Sequence, residues 1–139
     1  MARIKHIAIA TQDPDSTARF YKEGLGLKEV GKVDSPLAEG YYLTDGYINL
    51  AVLRFKNDDA ATTEGAPKHT GIHHFGVEVE NMEEARARIE KAGAKYRPLG
   101  GMDASQATAQ RNANMEVKFL GPDGVTVDLS EQGWVVTDE

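Results

Sequence analysis

The chain of 139 residues contains no cysteine. That absence excludes disulfides, thiolate zinc sites, iron–sulfur clusters and cysteine nucleophiles together, so any metal must be bound through nitrogen and oxygen. Long apolar runs are missing as well. No stretch approaches the roughly 20 residues that span a bilayer. The opening Met1-Ala2-Arg3-Ile4-Lys5-His6 puts charges where a signal peptide needs apolar residues. A cytoplasmic protein with no membrane partner is expected. Basic residues are in deficit, 16 Lys and Arg against 22 Asp and Glu for a formal charge of −6, and they concentrate nowhere. Nucleic acid demands a basic face and is not an expected partner. The chain has the length of a single domain, taken here as residues 1–139, and can bury about two-thirds of its unfolded surface without staples.

What the sequence does contain is a repeat. IKHIAIATQDPDSTARFYKEGLG, from Ile4, lies over IHHFGVEVENMEEARARIEKAG, from Ile72, so that His6 falls on His74 and Asp13 on Asn81. Each copy opens with an apolar, β-branched run, Ile4–Ala10 or Ile72–Val79, which predicts a strand. A helix follows in each. Asp13 and Asn81 are its N-caps, Pro14 enters the first turn of one, and Glu83 and Glu84 sit at the positive dipole end of the other. The helices stop at glycine, near Gly24–Gly26 and at Gly93. Further strands are expected near Leu27–Val33 and Ala94–Pro98. Asp45-Gly46 and Asp123-Gly124 then predict tight hairpin turns, joining Gly40–Thr44 to Tyr47–Arg54 and Met115–Leu120 to Val125–Ser130. The order is β-α-β-β-β twice, with modules over about 3–55 and 72–131, a linker at 56–71 and a tail at 132–139 that is expected to be loose, Trp134 being its candidate anchor. The stretch Leu99–Asn114 is long enough for a functional loop.

Packing two such modules about a pseudo-twofold axis brings equivalent positions together. His6 shares a strand face with Ile4, Ala8 and Ala10, while Lys5 and Ile7 point away. His74 is expected opposite His73, which then points outward; His69 lies in the linker, and neither is expected to ligate. Asp128 stands mid-strand between Val127 and Leu129, where a carboxylate is costly unless a cation faces it. Two imidazoles and one carboxylate form the two-His-one-carboxylate set, which leaves coordination positions open. One aspartate leaves about one unit of positive charge on a dication, able to polarise a substrate oxygen. A lone strand histidine is more often a hydrogen-bonded or exposed side chain. The repetition at equivalent positions is what points to a metal.

IKHIAIATQDPDSTARFYKEGLGL, GIHHFGVEV and FLGPDGVTVDLSE resemble the vicinal-oxygen-chelate superfamily over residues 3 to 131. That superfamily includes glyoxalase I, methylmalonyl-CoA epimerase, extradiol dioxygenases, fosfomycin-resistance enzymes and metal-free bleomycin-binding proteins. The resemblance implies an α+β fold in which two tandem βαβββ modules form a curved mixed sheet with the helices outside. It carries metal ligation onto His6 and His74, puts Asp128 where the family has a glutamate, and puts Asn49 at the remaining ligand position. Glu39, in LAEGYY, lies near the epimerases' catalytic glutamate. Glu39 and Asp128 are therefore the residues expected to carry catalysis. Arg111 in the long loop, with Tyr47 and Phe119 as pocket walls beside Tyr41 and Tyr42, are expected to meet substrate.

The implied function is metal-assisted proton transfer on a small oxygenated molecule, a lyase or isomerase reaction using Ni, Co, Mn, Zn or Fe. An Fe(II) extradiol-type dioxygenase and a metal-free small-molecule or antibiotic-binding resistance protein are the alternatives. Members of this fold commonly form homodimers, and one is expected here.

Overall fold

Alternating burial begins at once: in β1, Arg3–Ala10, the side chains of His6, Ala8 and Ala10 are buried while those between them are partly exposed. A computed structural model describes residues 1–57, 66–97 and 116–137. After β1 come α1 (Pro14–Leu25), β2 (Lys28–Asp34), β3 (Ala38–Thr44) and β4 (Asn49–Phe55). The second copy gives β5 (Gly71–Glu78), α2 (Met82–Lys91), β6 (Lys95–Arg97), β7 (Val117–Leu120) and β8 (Thr126–Ser130). The expected β-α-β-β-β order thus occurs twice. No helix among the described residues is long and apolar enough to cross a membrane.

The helix signals act as read. Asp13 accepts a hydrogen bond from the Ser16 amide at 3.1 Å, and Asn81 accepts one from the Glu84 amide at 3.0 Å. Gly26, at φ 74°, closes α1 in the left-handed conformation. The hairpins form where expected, but their turns are longer than two residues. Asp45 accepts from the amides of Tyr47 and Ile48, so residues 45–48 form the first turn. The second contains a 3₁₀ turn at Pro122–Gly124 between Leu120 and Thr126.

All eight strands join one mixed sheet in the order β2-β3-β4-β1-β5-β8-β7-β6. β1 runs parallel to β4, β5 runs parallel to β8, and β1 meets β5 antiparallel, which places the pseudo-twofold axis between the two opening strands. One face is covered by the helices. Ala18 of α1 packs with Leu43 and Val52, and Met82 of α2 with Val79, Val117, Phe119 and Leu129. The other face carries the polar residues that the strand alternation leaves over, and that is where the candidate site lies.

One irregularity matters for the site. Ala8 pairs with His74 but Ile9 pairs with Ile72, so His73 is an extra residue on β5, a β-bulge. The bulge overrides simple alternation and turns His73 toward the same face as His74. There its ring packs 4.8 Å from Phe55. The outward orientation expected for His73 is therefore corrected.

Close strand approach is tightest at Gly40. Its φ is +152°, and an added Cβ would fall 1.8 Å from the Val52 carbonyl oxygen. Gly40→Ala is expected to destabilise the fold by about 2–4 kcal/mol, seen as a lower midpoint of urea denaturation. An unchanged midpoint would show that β3 and β4 do not approach this closely.

Candidate metal centre

The sheet register sets one row of side chains across the helix-free face. Thr44 pairs with Asn49, Asn49 with His6, His6 with Gly76, Gly76 with Asp128, and Asp128 with Lys118. Gly76 stands in the middle because any side chain there would collide. A Cβ would come within 2.5 Å of the Trp134 ring and 3.0 Å of His6 Cβ. His74 lies on the same face, two residues along β5 from that gap.

His6 is held from behind. Asn49 donates through Nδ2 to the Val135 carbonyl at 2.7 Å, which leaves its Oδ1 to accept from His6 Nδ1 at 2.7 Å. This assignment puts the His6 proton on Nδ1, so the neutral ring presents a bare Nε2 to the interior. That nitrogen lies 3.2 Å from His74 Nε2. His74 Nε2 is in turn 3.1 Å from Asp128 Oδ2, and His74 Nδ1 lies 2.6 Å from His73 Nδ1. Neighbouring ligand atoms on one ion, bound at about 2.0–2.2 Å, stand roughly 3.0–3.5 Å apart. The His6–His74 and His74–Asp128 pairs have that spacing.

A fourth group joins them. Ligand atoms of His6, His74, Glu116 and Asp128 all lie within 4.8 Å of one another. Asp128 is 0% exposed, and its Oδ1 has no hydrogen-bond donor among the described residues. Glu116 Oε1 accepts from the Trp134 indole N–H at 2.6 Å. That indole lies flat on His6, with ring centroids 4.6 Å apart and planes 4° from parallel. The tail expected to be loose is thus tied to the site by two side-chain contacts.

Burial decides the protonation states. Desolvation lowers the pKa of His6 to about 4 and of His74 to about 3, the latter helped by the Lys118 charge. His73 falls to about 3 for the same first reason. Near neutral pH all three rings are uncharged, the form that ligates metals. Desolvation, with the adjoining Asp128 carboxyl, raises the pKa of Glu116. For Lys118 burial works downward, but Asp128 and Glu116 outweigh it and hold the ammonium above its usual range. The donor set, nitrogen and oxygen with an unpartnered buried carboxylate oxygen, fits a divalent cation.

The sequence signature of the Glyoxalase/Bleomycin resistance protein/Dioxygenase superfamily matches residues 3–129. The chain belongs to that superfamily. An ethylmalonyl-CoA/methylmalonyl-CoA epimerase of Cereibacter sphaeroides is 30% identical over 100 residues, covering 68% of this chain and 74% of that protein. A hypothetical protein from Bacillus halodurans has the same fold, with TM-score 0.72 at 20% identity over 98% of both chains. So has a Streptomyces coelicolor methylmalonyl-CoA epimerase solved with 2-nitronate-propionyl-CoA, with TM-score 0.66 at 22% identity over 92% of this chain and 95% of that one.

Within this glyoxalase-superfamily fold, the residues singled out from sequence separate clearly. His6, His74 and Asp128 come together. Asn49 stands behind His6 as its hydrogen-bond partner, with both ends of its amide engaged, and not beside it as a ligand. Glu39 is on the opposite, helix-covered face, where Arg54 Nε donates to it at 2.8 Å, so it cannot serve this site. Phe119 is 0% exposed in the α2 core, because strand alternation sends it away from Lys118. Tyr47 is half exposed in the first turn with the Lys5 ammonium 3.5 Å from its ring centre, again off the site. Arg111 lies outside the described residues. Tyr42 is the tyrosine that alternation puts on the site face, level with Ala51 and two residues from Thr44.

Glu116, Lys118 and Trp134 were missed as site residues. A signal for the first two exists: in Glu116-Val117-Lys118-Phe119 the charges alternate with apolar residues, one strand away from Asp128. Nothing local marks Trp134, which reaches His6 from the far end of the chain.

The imidazoles also set a pH dependence. Their folded pKa values, about 4 for His6 and about 3 for His73 and His74, lie below the 6.5 of a free imidazole, so the unfolded chain binds more protons below that pH. The stability they contribute is present above about pH 6.5 and is lost as pH falls toward 4 and 3. Glu116, with its raised pKa, works oppositely, but three rings oppose one carboxyl. The metal-free protein is therefore expected to show a urea midpoint that falls steadily from pH 7 to 4.5. A flat profile would mean that the rings are not buried in the neutral form.

Proposed function

We propose that this chain is an enzyme that uses a divalent metal ion, held by His6, His74, Asp128 and Glu116, to promote proton transfer on a small oxygenated molecule. The reading rests on one observation, the convergence of these four donor groups on a buried point with two neutral imidazoles. Bound there, a divalent ion would polarise a carbonyl oxygen and stabilise the negative charge that develops when an adjacent proton leaves. The remaining work falls to the chain itself. Asn49 fixes the tautomer and angle of His6, and His73 contacts the outer nitrogen of His74. Trp134 covers His6 and keeps water from its ring.

Glu39 lies on the other face and does not reach this point, and of the four donor groups Glu116, with 33% side-chain exposure, is the one that solvent reaches appreciably. The similarity to an ethylmalonyl-CoA/methylmalonyl-CoA epimerase supports α-substituted acyl thioesters as the first substrate class to try.

Purified protein is expected to carry about one equivalent of metal, and His6→Ala and His74→Ala are each expected to lose it. The metal-loaded protein should exchange the α-proton of a methylmalonyl thioester with deuterated solvent, followed by NMR, with a fall of at least about 100-fold in either variant. Absence of metal after purification, with none taken up on addition, would overturn the proposal.

A second reading has one specific observation in its favour. The Lys118 ammonium already supplies a cation to Asp128 at 2.7 Å, as a metal-free ligand-binding protein would need. Asn49→Ala separates the two. If the site binds metal, loss of the His6 support should weaken affinity by about 10–100-fold in calorimetric titration. A metal-free binder would show no metal affinity to lose.

A further inference from the structure

Lys118 is a residue that the proposed chemistry leaves unused. It lies on β7 between Val117 and Phe119, which pack into the α2 core, so alternation turns it to the site face. It is 6% exposed. A buried ammonium needs carboxylate partners. Among the described residues its ion-pair partners are Asp128, 2.7 Å away, and Glu116, 3.8 Å away. Both belong to the candidate ligand set. The particular atom matters further: Lys118 Nζ donates to Asp128 Oδ2, the same oxygen that lies 3.1 Å from His74 Nε2.

We propose that Lys118 is a built-in competitor of the metal ion, an internal counter-cation that neutralises the ligand carboxylates when no metal is bound and must give up Asp128 when one binds. The inference rests on the metal-centre reading above. It follows from two elementary constraints. An oxygen whose lone pairs are taken by an ammonium is a poor ligand until the ammonium withdraws, and a dication placed among these donors repels a positive charge a few ångströms away. The same ammonium lets buried Asp128 and partly exposed Glu116 stand side by side in the metal-free chain. Lys118 therefore stabilises the empty site and weakens the loaded one. It acts as a positioning residue for Asp128 that sets the strength and reversibility of metal binding.

The test uses Lys118→Met, which keeps the length and volume of the side chain and removes its charge, with Lys118→Arg as the charge-retaining control. Calorimetric titration of metal-stripped protein with Mn²⁺ and with Zn²⁺ is expected to show at least about tenfold tighter binding in Lys118→Met, and binding no tighter than the parent's in Lys118→Arg, whose guanidinium keeps a cation on Asp128. Thermal unfolding supplies a second readout. Without metal, Lys118→Met should melt below the parent; with saturating Mn²⁺ its gain in Tm should exceed the parent's. If Lys118→Met folds only when Mn²⁺ is present, that outcome supports the proposal in its strongest form. Equal or weaker metal binding by Lys118→Met while the parent binds metal overturns it, as does failure of Lys118→Met to fold with or without metal. If the folded parent binds neither ion, the metal-centre reading itself has failed, and the two failures are thereby told apart.

Discussion

A carboxylate with no exposed surface sits near the middle of this sheet, and its charge has to be answered. Asp128 lies on the helix-free face between the β5 backbone at Gly76 and the Lys118 side chain, with one oxygen shared by His74 and Lys118 and the other without a donor among the described residues. Isolated in a dry interior, such a charge would cost several kcal/mol. The arrangement around it reads as a set of answers to that cost: an ammonium, a neighbouring carboxyl with a raised pKa, and two imidazoles whose burial keeps them neutral. Each answer also describes a place where a divalent cation fits.

The duplication makes this concentration of polar groups possible. Each βαβββ module buries apolar residues against its own helix, and Ala10, Ala38 and Phe55 form a third cluster on the helix-free face. Beside that cluster, the line where the modules join carries His6, His74 and Asp128 on the helix-free face. Polar residues gather there without interrupting either helix-packed core. The pairing of β1 with β5 brings the two opening histidines into range, and Gly76 leaves the gap into which the Trp134 ring fits.

Membership of the glyoxalase superfamily explains the scaffold more fully than the chemistry, because this fold hosts several reactions. The particulars that distinguish this site are its own. Asp128 stands where the superfamily resemblance implies a glutamate, Asn49 hydrogen-bonds His6, and Glu116 joins the cluster from just before β7. Glu39 is committed to Arg54 on the other side of the sheet.

Periodicity and local capping determined the succession of strands and helices, because the burial period of an element and the hydrogen bonds of its ends are properties of neighbouring residues. The repeat determined more. It matched His6 with His74, and the apolar flanks of Asp128 marked it as a charge in need of a partner. Other features depended on contacts that no local pattern contains. A one-residue bulge reversed His73, since strand parity holds only while the register does. The choice of sheet face for Glu39 and Phe119 followed from where the helices packed. Trp134 and Val135 entered the site through neighbours far away in sequence, Asn49 and Val135 being 86 positions apart. Residue order fixes what each side chain can do; which charges meet in the same dry volume is decided only when the sheet closes over them.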